Sequence, residues 1–205
     1  MEFDELSGKI ILASGSERRR KLLAEAGYKF KVVVSQIDEA TFPAEGVDCV
    51  EYVKSLALAK AADVAKQYPD SVVIGADTAV DFDGRIIGKA RDARDAEEIT
   101  RRIFSKPHKV ITGVAIICRA QHLQIMEAET TVVYPKKLTD SQIAEHIASG
   151  IWRDKAGAYA IRECPASPKG SAVTSDPFVD HIEGSLTNVM GMPMELVERV
   201  LSFKC

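Results

Sequence analysis

The segment SVVIGADTAVDFDGRII (residues 71–87) carries an apolar strand pattern that turns back on itself at Asp83-Gly84, a pair suited to the tight turn of a hairpin. Elsewhere strand and helix patterns interleave, which taken alone would predict a parallel sheet. A hairpin forces antiparallel neighbours. The expected fold is therefore α/β, a mixed β-sheet with flanking helices. The chain has 205 residues, 46% of them hydrophobic, enough for one domain over 1–205 with a real core.

The remaining pattern supplies the elements. KIILAS (9–14) reads as a buried strand. Ser16 is placed to cap a helix over 17–26, which Gly27 ends. KFKVVVS (29–35) reads as the next strand. Asp48 with Glu51 resembles a capping box before a long helix. Residues 95–105 read as helix, and 108–118 and 123–134 as strands. Thr139 with Gln142 forms a second capping box, opening a helix that Gly150 closes. GAYAI (157–161) reads as a short strand, and 193–203 as a closing helix with Pro193 at its first position. CPASPKGSAVTSDP (164–177) reads as a mobile surface loop.

The net charge of −3 argues against a general nucleic-acid binder, so no stable nucleic-acid partner is expected. MEFDELSGK (1–9) lacks the apolar core of a signal peptide, and no apolar run reaches about 18 residues, so no membrane span is expected. Cys49, Cys118, Cys164 and Cys205 are scattered without a CxxC pair. That fits reduced thiols and a cytoplasmic location.

Against this acidic background, LASGSERRRKLL (12–23) gathers three arginines at a helix start. Free N–H groups and the helix dipole favour anions there, and Ser14 and Ser16 add hydroxyls. Guanidinium groups match phosphate oxygens bidentately. Three consecutive arginines point in three directions, so at most two can serve one site. A charged, solvated helix face is the plainer alternative. The stretch is not a P-loop, since GxxxxGK[ST] is absent.

Asp77 interrupts the apolar strand of VVIGADTAV (72–80). A carboxylate there must be paired, metal-bound or at an exposed strand end. It can be a structural ion-pair partner, a metal ligand or a general base. Asp38 and Glu39 offer a second carboxylate near a strand end, or are simply solvated. His108 before a strand reads as structural. The small residues of DKAGAYAI (154–161) permit close backbone approach to a ligand or to another strand. Together these features suggest a metal-dependent enzyme acting on a phosphorylated small molecule.

LASGSERRRKLL, IDE, AKA (59–61), IGADTAV, GKARDARDA (88–96), HKVITGVAI, DKAGAYAI and GSLTNVMGMPMELV (184–197) occur in the order and spacing of one family. The chain resembles the Maf-like nucleotide pyrophosphatases over nearly its whole length. The resemblance implies a fold similar to the inosine-triphosphate pyrophosphatase group, with two lobes around a central cleft. It implies cleavage of nucleoside triphosphates, dTTP and UTP or related noncanonical nucleotides, to monophosphate and pyrophosphate with Mg²⁺ or Mn²⁺. Asp77 matches the catalytic aspartate of the ADT motif. Arg19, Glu39, Lys60 and Lys89 match charged site positions, Ser14 and Ser16 the phosphate-loop serines, and Arg18 and Thr78 the specificity positions. Asp77 and Glu39 become the expected metal ligands. Members often form homodimers, though no stretch here compels one. A catalytically weak nucleotide-binding regulator linked to cell division or DNA maintenance is the alternative. A phosphatase of other metabolites would release orthophosphate instead.

The sequence departs from that pattern in four places. Glu17 replaces the usual proline, GKA replaces EKP, and the 164–180 loop is longer. Arg162 stands where the pyrimidine-type members carry glutamine. Glutamine can donate and accept, whereas arginine only donates and suits carbonyl-rich base edges. An altered or relaxed base preference is therefore expected, unless Arg162 turns outward into a salt bridge.

Overall fold

The computed structural model describes residues 9–161, 172–173 and 176–204. In chain order the strands are β1 (Ile10–Leu12), β2 (Phe30–Val32), β3 (Val72–Phe82), β4 (Arg85–Ile87), β5 (His108–Cys118), β6 (Leu123–Pro135), β7 (Ala172–Val173) and β8 (Val179–Glu183). The helices are α1 (Glu17–Glu25), α2 (Cys49–Ala65), α3 (Ala93–Ile103), α4 (Asp140–Ser149), α5 (Leu186–Val189) and α6 (Met194–Lys204). The sheet runs β2-β1-β3-β5-β6-β8-β7, with β4 paired to β3. β2, β1 and β3 are parallel. From β3 onward every pairing is antiparallel, including the hairpin whose turn places Asp83 and Gly84 at φ of 54° and 73°. The sheet is mixed, as the hairpin in the sequence requires.

β3 and β5 form the sheet's centre and are buried on both faces, which explains their nearly unbroken apolar runs. Side chains alternate along β3. Val72, Ile74, Ala76, Val80 and Phe82 join a core with α1, the end of α3 and α6. Val73 and Ala79 face α2, which covers the opposite side with Val53, Ala57, Ala61 and Val64. Two glycines let α2 sit unusually close. A Cβ on Gly75 would lie 2.4 Å from the Ala57 carbonyl oxygen, and one on Gly113 would lie 2.5 Å from that of Val53.

Local signals were mostly legible. Ser16 caps α1, Gly27 follows it at φ 85°, Thr139 and Gln142 form the full capping box, and Gly150 ends α4 at φ 68°. At Asp48 only half a box forms: its carboxylate accepts from Val50 N and Glu51 N, while Glu51 pairs with Lys54. α3 starts earlier than the pattern suggested because Asp92 accepts from Asp95 N at 2.8 Å. α6 begins at Met194, with the Pro193 carbonyl accepting from Val197 N, so Pro193 precedes the helix.

Three expectations need correction. β2 covers only Phe30–Val32. GAYAI is a turn and not a strand, because Gly157 and Ala158 take φ of 66° and 51°, incompatible with an extended chain. The end of the 164–177 stretch is built into the sheet: Ala172–Val173 pairs with β8, and buried Asp176 accepts from Phe178 N and Val179 N. Residues 164–171 lie outside the described residues. The sequence reading also passed over β8 and α5. Among the described residues no helix is long and apolar enough to cross a membrane.

Candidate active site

The site lies where the central strand loses a neighbour. β1 accompanies β3 only to Ile74, and β4 joins it from Val80. Among the described residues, no strand pairs with residues 75–79 of β3 on that side. At Ala13 the chain leaves the sheet and enters α1, opening a cleft of about 490 Å³ beyond the carboxyl end of β1. Such ends of parallel strands are where α/β sheets hold ligands.

Asp77 shares the odd-numbered face of β3 with Val73 and Gly75, so its side chain points toward α2. The close approach at Gly75 and Gly113 brings Lys60 of α2 onto it. Lys60 Nζ lies 2.6 Å from Asp77 Oδ1 and 2.8 Å from Glu39 Oε1. Lys89 Nζ follows at 3.9 Å from Glu39 Oε2. Acid and base alternate from the buried strand out to solvent: Asp77, Lys60, Glu39, Lys89. The Lys60 and Asp77 side chains are 9% and 12% exposed, whereas Glu39 and Lys89 sit near the mouth. Burial works to raise the Glu39 carboxyl, but the hydrogen bond and charge of Lys60, with Lys89 and Arg19, outweigh it and hold Glu39 below the ordinary carboxylate range. Neighbouring Asp38 takes no part; it caps the short turn Glu39–Thr41.

The three arginines divide as their directions require. Arg20 is exposed and pairs with Glu17 at 2.5 Å, which engages the departing carboxylate of the first turn. Arg18 lines the cleft. Arg19 is buried and commits four N–H donors to the protein: Nε to Gly191 O at 2.7 Å, Nη1 to Ala76 O at 2.8 Å and Ser14 Oγ at 3.2 Å, and Nη2 to Thr78 Oγ1 at 3.0 Å. The bond to Ala76 O occupies a carbonyl that a strand neighbour would otherwise have satisfied. Burial lowers the Arg19 pKa, against the charges of Asp77 and Glu39. Ser14 Oγ accepts from both Ser16 N and Arg19, so its own proton can point into the cleft. Thr78 faces away from Asp77 and enters a buried chain: Thr78 and Thr112 hydroxyls are 3.0 Å apart, and Thr112 donates to Asn188 O.

The cleft thus brings together Ser14, Ser16, Arg18, Arg19, Glu39, Lys60, Asp77, Thr78 and Lys89, all named from sequence. Arg162 lies outside the described residues. His108 lines the cleft from β5, and burial holds its pKa below the usual imidazole value. Lys155, Asp154 and Gly191 also line it and were not singled out. Only DKAGAYAI had hinted at the first two.

A carboxylate–ammonium file facing a helix start, beside a gap in a mixed sheet, is an arrangement suited to holding an anionic ligand. More particularly, the chain belongs to the Maf-like protein family, whose profile matches residues 9–203. It is 43% identical over 188 residues to a dTTP/UTP pyrophosphatase of Citrifermentans bemidjiense, covering 92% of this chain and 91% of that one. A dTTP/UTP pyrophosphatase of Elusimicrobium minutum is 41% identical, covering 94% and 97%. One of Bacillus cereus is 39% identical, covering 94% and 88%. Among solved structures, the Staphylococcus aureus Ham1 protein is a distant likeness, with a TM-score of 0.44 at 12% identity over 62% of this chain and 71% of that one.

Proposed function

We propose that the chain is a nucleotide diphosphatase that hydrolyses nucleoside triphosphates to the monophosphate and pyrophosphate, with dTTP and UTP or related nucleotides as substrates. The observation that carries this reading is the gathering of Asp77, Lys60, Glu39 and Lys89 in one cleft beside the start of α1, in a chain whose curated relatives are named dTTP/UTP pyrophosphatase.

The α-phosphorus is shielded by anionic oxygens, so water attack requires positioned positive charge. Lys60 uses two of its three N–H donors on Asp77 and Glu39 and keeps one for a phosphate oxygen. Asp77 spends Oδ1 on Lys60, leaving Oδ2 to orient a water and accept its proton. Ser14, Ser16 and the first turn of α1 supply donors to the phosphates, with Arg18 and Lys89 adding charge. Arg19 contributes charge too, but its hydrogen bonds make it chiefly the residue that fixes the shape of the gap.

Among the described residues no group of three or more His, Cys, Asp or Glu side chains could hold a metal by itself. Asp77 and Glu39, joined through one ammonium, do fit an ion of the Mg²⁺ or Mn²⁺ kind, which takes one or two carboxylates and completes its shell with substrate phosphates and water. Bound there, such an ion neutralises phosphate charge and acidifies water.

A triphosphate panel with each metal, read by pyrophosphate and monophosphate release, tests the reading. Orthophosphate as the product, or nucleotide binding without turnover, overturns it. Because Arg162 only donates, nucleotides besides dTTP and UTP are expected among the good substrates; those two alone would refute that expectation.

A further inference from the structure

The sequence did not single out Lys155, and the file running from Asp77 to Lys89 does not include it. It sits on a turn that the fold holds firmly. Ala156 forms an antiparallel bridge with Lys89, and Gly157 N donates to Gly88 O at 2.9 Å. Buried Trp152 anchors the turn from below, its carbonyl accepting from Lys155 N. His146 of α4 fixes the far side through its Nε2, 2.8 Å from the Ala158 carbonyl. Two segments zipped together therefore present Lys89 and Lys155 to the same wall of the cleft.

Lys155 is half-buried there, and among the described residues no carboxylate lies within ion-pair distance of its ammonium. Burial, then the charges of Arg18 and Lys89, push its pKa below the ordinary lysine value, with Asp154 in partial opposition. Lys155 thus sits close enough to two other cations to feel their charge, and an anion held on it relieves that repulsion. Their place in the cleft says which anion. Asp77 lies at the inner end of the charged file and Lys89 at its outer end, with Lys155 next to Lys89 through the Lys89–Ala156 bridge. Attack and departure at phosphorus are in line, on opposite sides of the reacting atom. If Asp77 orients the water, the outer cations face the group that leaves.

We propose that Lys155 is a further substrate-contacting residue, holding the terminal phosphates of the bound nucleotide and the pyrophosphate released from it. This rests on the pyrophosphatase reading, so the first measurement is pyrophosphate release by the unaltered protein with Mg²⁺. Its absence defeats that reading and says nothing specific about Lys155.

Inhibition by inorganic pyrophosphate and by the nucleoside monophosphate is then compared among wild type, Lys155→Gln and Lys155→Arg. Lys155→Gln is expected to weaken pyrophosphate inhibition about tenfold, the effect of one lost charge-assisted contact. Monophosphate inhibition should be nearly unchanged, and Lys155→Arg should recover most of the loss. Unchanged pyrophosphate inhibition, equal weakening of both inhibitors, or a change confined to base preference overturns the assignment. Reductive methylation of the wild-type protein tests it without a substitution. Inorganic pyrophosphate with Mg²⁺ should shield Lys155 from the reagent and the monophosphate should not; modification at an undiminished rate in saturating pyrophosphate refutes the contact.

Discussion

Replacing Asp77 with asparagine separates what this residue does for the fold from what it does for chemistry. Asparagine keeps an oxygen for Lys60 but removes the charge from a 2.6 Å contact between side chains 12% and 9% exposed. A hydrogen bond to a charged group contributes about 1.5–3 kcal/mol and a neutral one about 0.5–1.5. Glu39 remains 2.8 Å from the same ammonium, so Lys60 is not stranded. The expected loss is about 1–2 kcal/mol. For a chain of this size each kcal/mol lowers Tm by roughly 2–4 °C, so Asp77→Asn should melt about 2–8 °C lower with its fold intact. Turnover should suffer far more, because removing a positioned base costs on the order of 10²–10⁴ in rate. Circular dichroism melts and pyrophosphate release measure the two effects. Adding Lys60→Met should lower stability further, because the introduced amide and Glu39 both lose their ammonium partner, and should recover no activity. A kcat within about threefold of wild type in Asp77→Asn would refute the base assignment.

Other perturbations test the scaffold. Arg19→Lys cannot span the acceptors at Gly191, Ala76, Ser14 and Thr78, so chemical denaturation should show a loss of about 2–3 kcal/mol and activity should fall at least tenfold; unaltered stability would mean those bonds matter little. Gly113→Ala drives a methyl into the α2 backbone and should cost about 1–3 kcal/mol, with weaker activity as Lys60 lifts from Asp77; a neutral melt would refute the close-approach argument. Burial, with Asp81, Asp48 and Asp77 nearby, pushes the Cys49 thiol up to about 12. Its folded-state pKa is thus raised, so its contribution to stability is complete below the unfolded thiol's pKa near 8.5 and is lost as pH climbs from there toward 12. Mass-spectrometric mapping at pH 8 should find Cys49 unalkylated in the folded protein, and alkylation at a free-thiol rate would contradict this.

Much of the site was legible because its residues cluster in short local patterns. Asp77 stood out as a charge in an apolar strand, and the α1 start as basic residues behind a serine cap. What the sequence could not display depends on distant contacts. Lys60 was placed in the site only through the family resemblance; its pairing with Asp77 and Glu39 depends on Gly75 and Gly113 letting α2 settle onto the sheet. Composition and spacing alone did not separate Arg19 from its neighbours, and its binding partners were not legible because most of its acceptors are groups brought near by folding, among them the carbonyl of Gly191. GAYAI misled because its composition suits a strand, while the bridge to Lys89 and the bond to Gly88 O hold it in a left-handed turn. β8 and α5 went unread for a similar reason: much of their pairing is with β6 and β5, far away in sequence.

The stretch of β3 between Ile74 and Val80 is also a strand edge with no strand beside it among the described residues. A bare strand edge invites a second chain to add itself, which is how many proteins begin to aggregate. In this chain that edge is guarded by the Arg19 guanidinium on Ala76 O, with the charges of Lys60, Asp77 and Glu39 close by. The gap proposed to admit a substrate is kept from admitting a neighbour by the residues proposed to do the chemistry. The same charges therefore serve two requirements, proposed turnover and protection of the edge, and the second would remain if the first were lost.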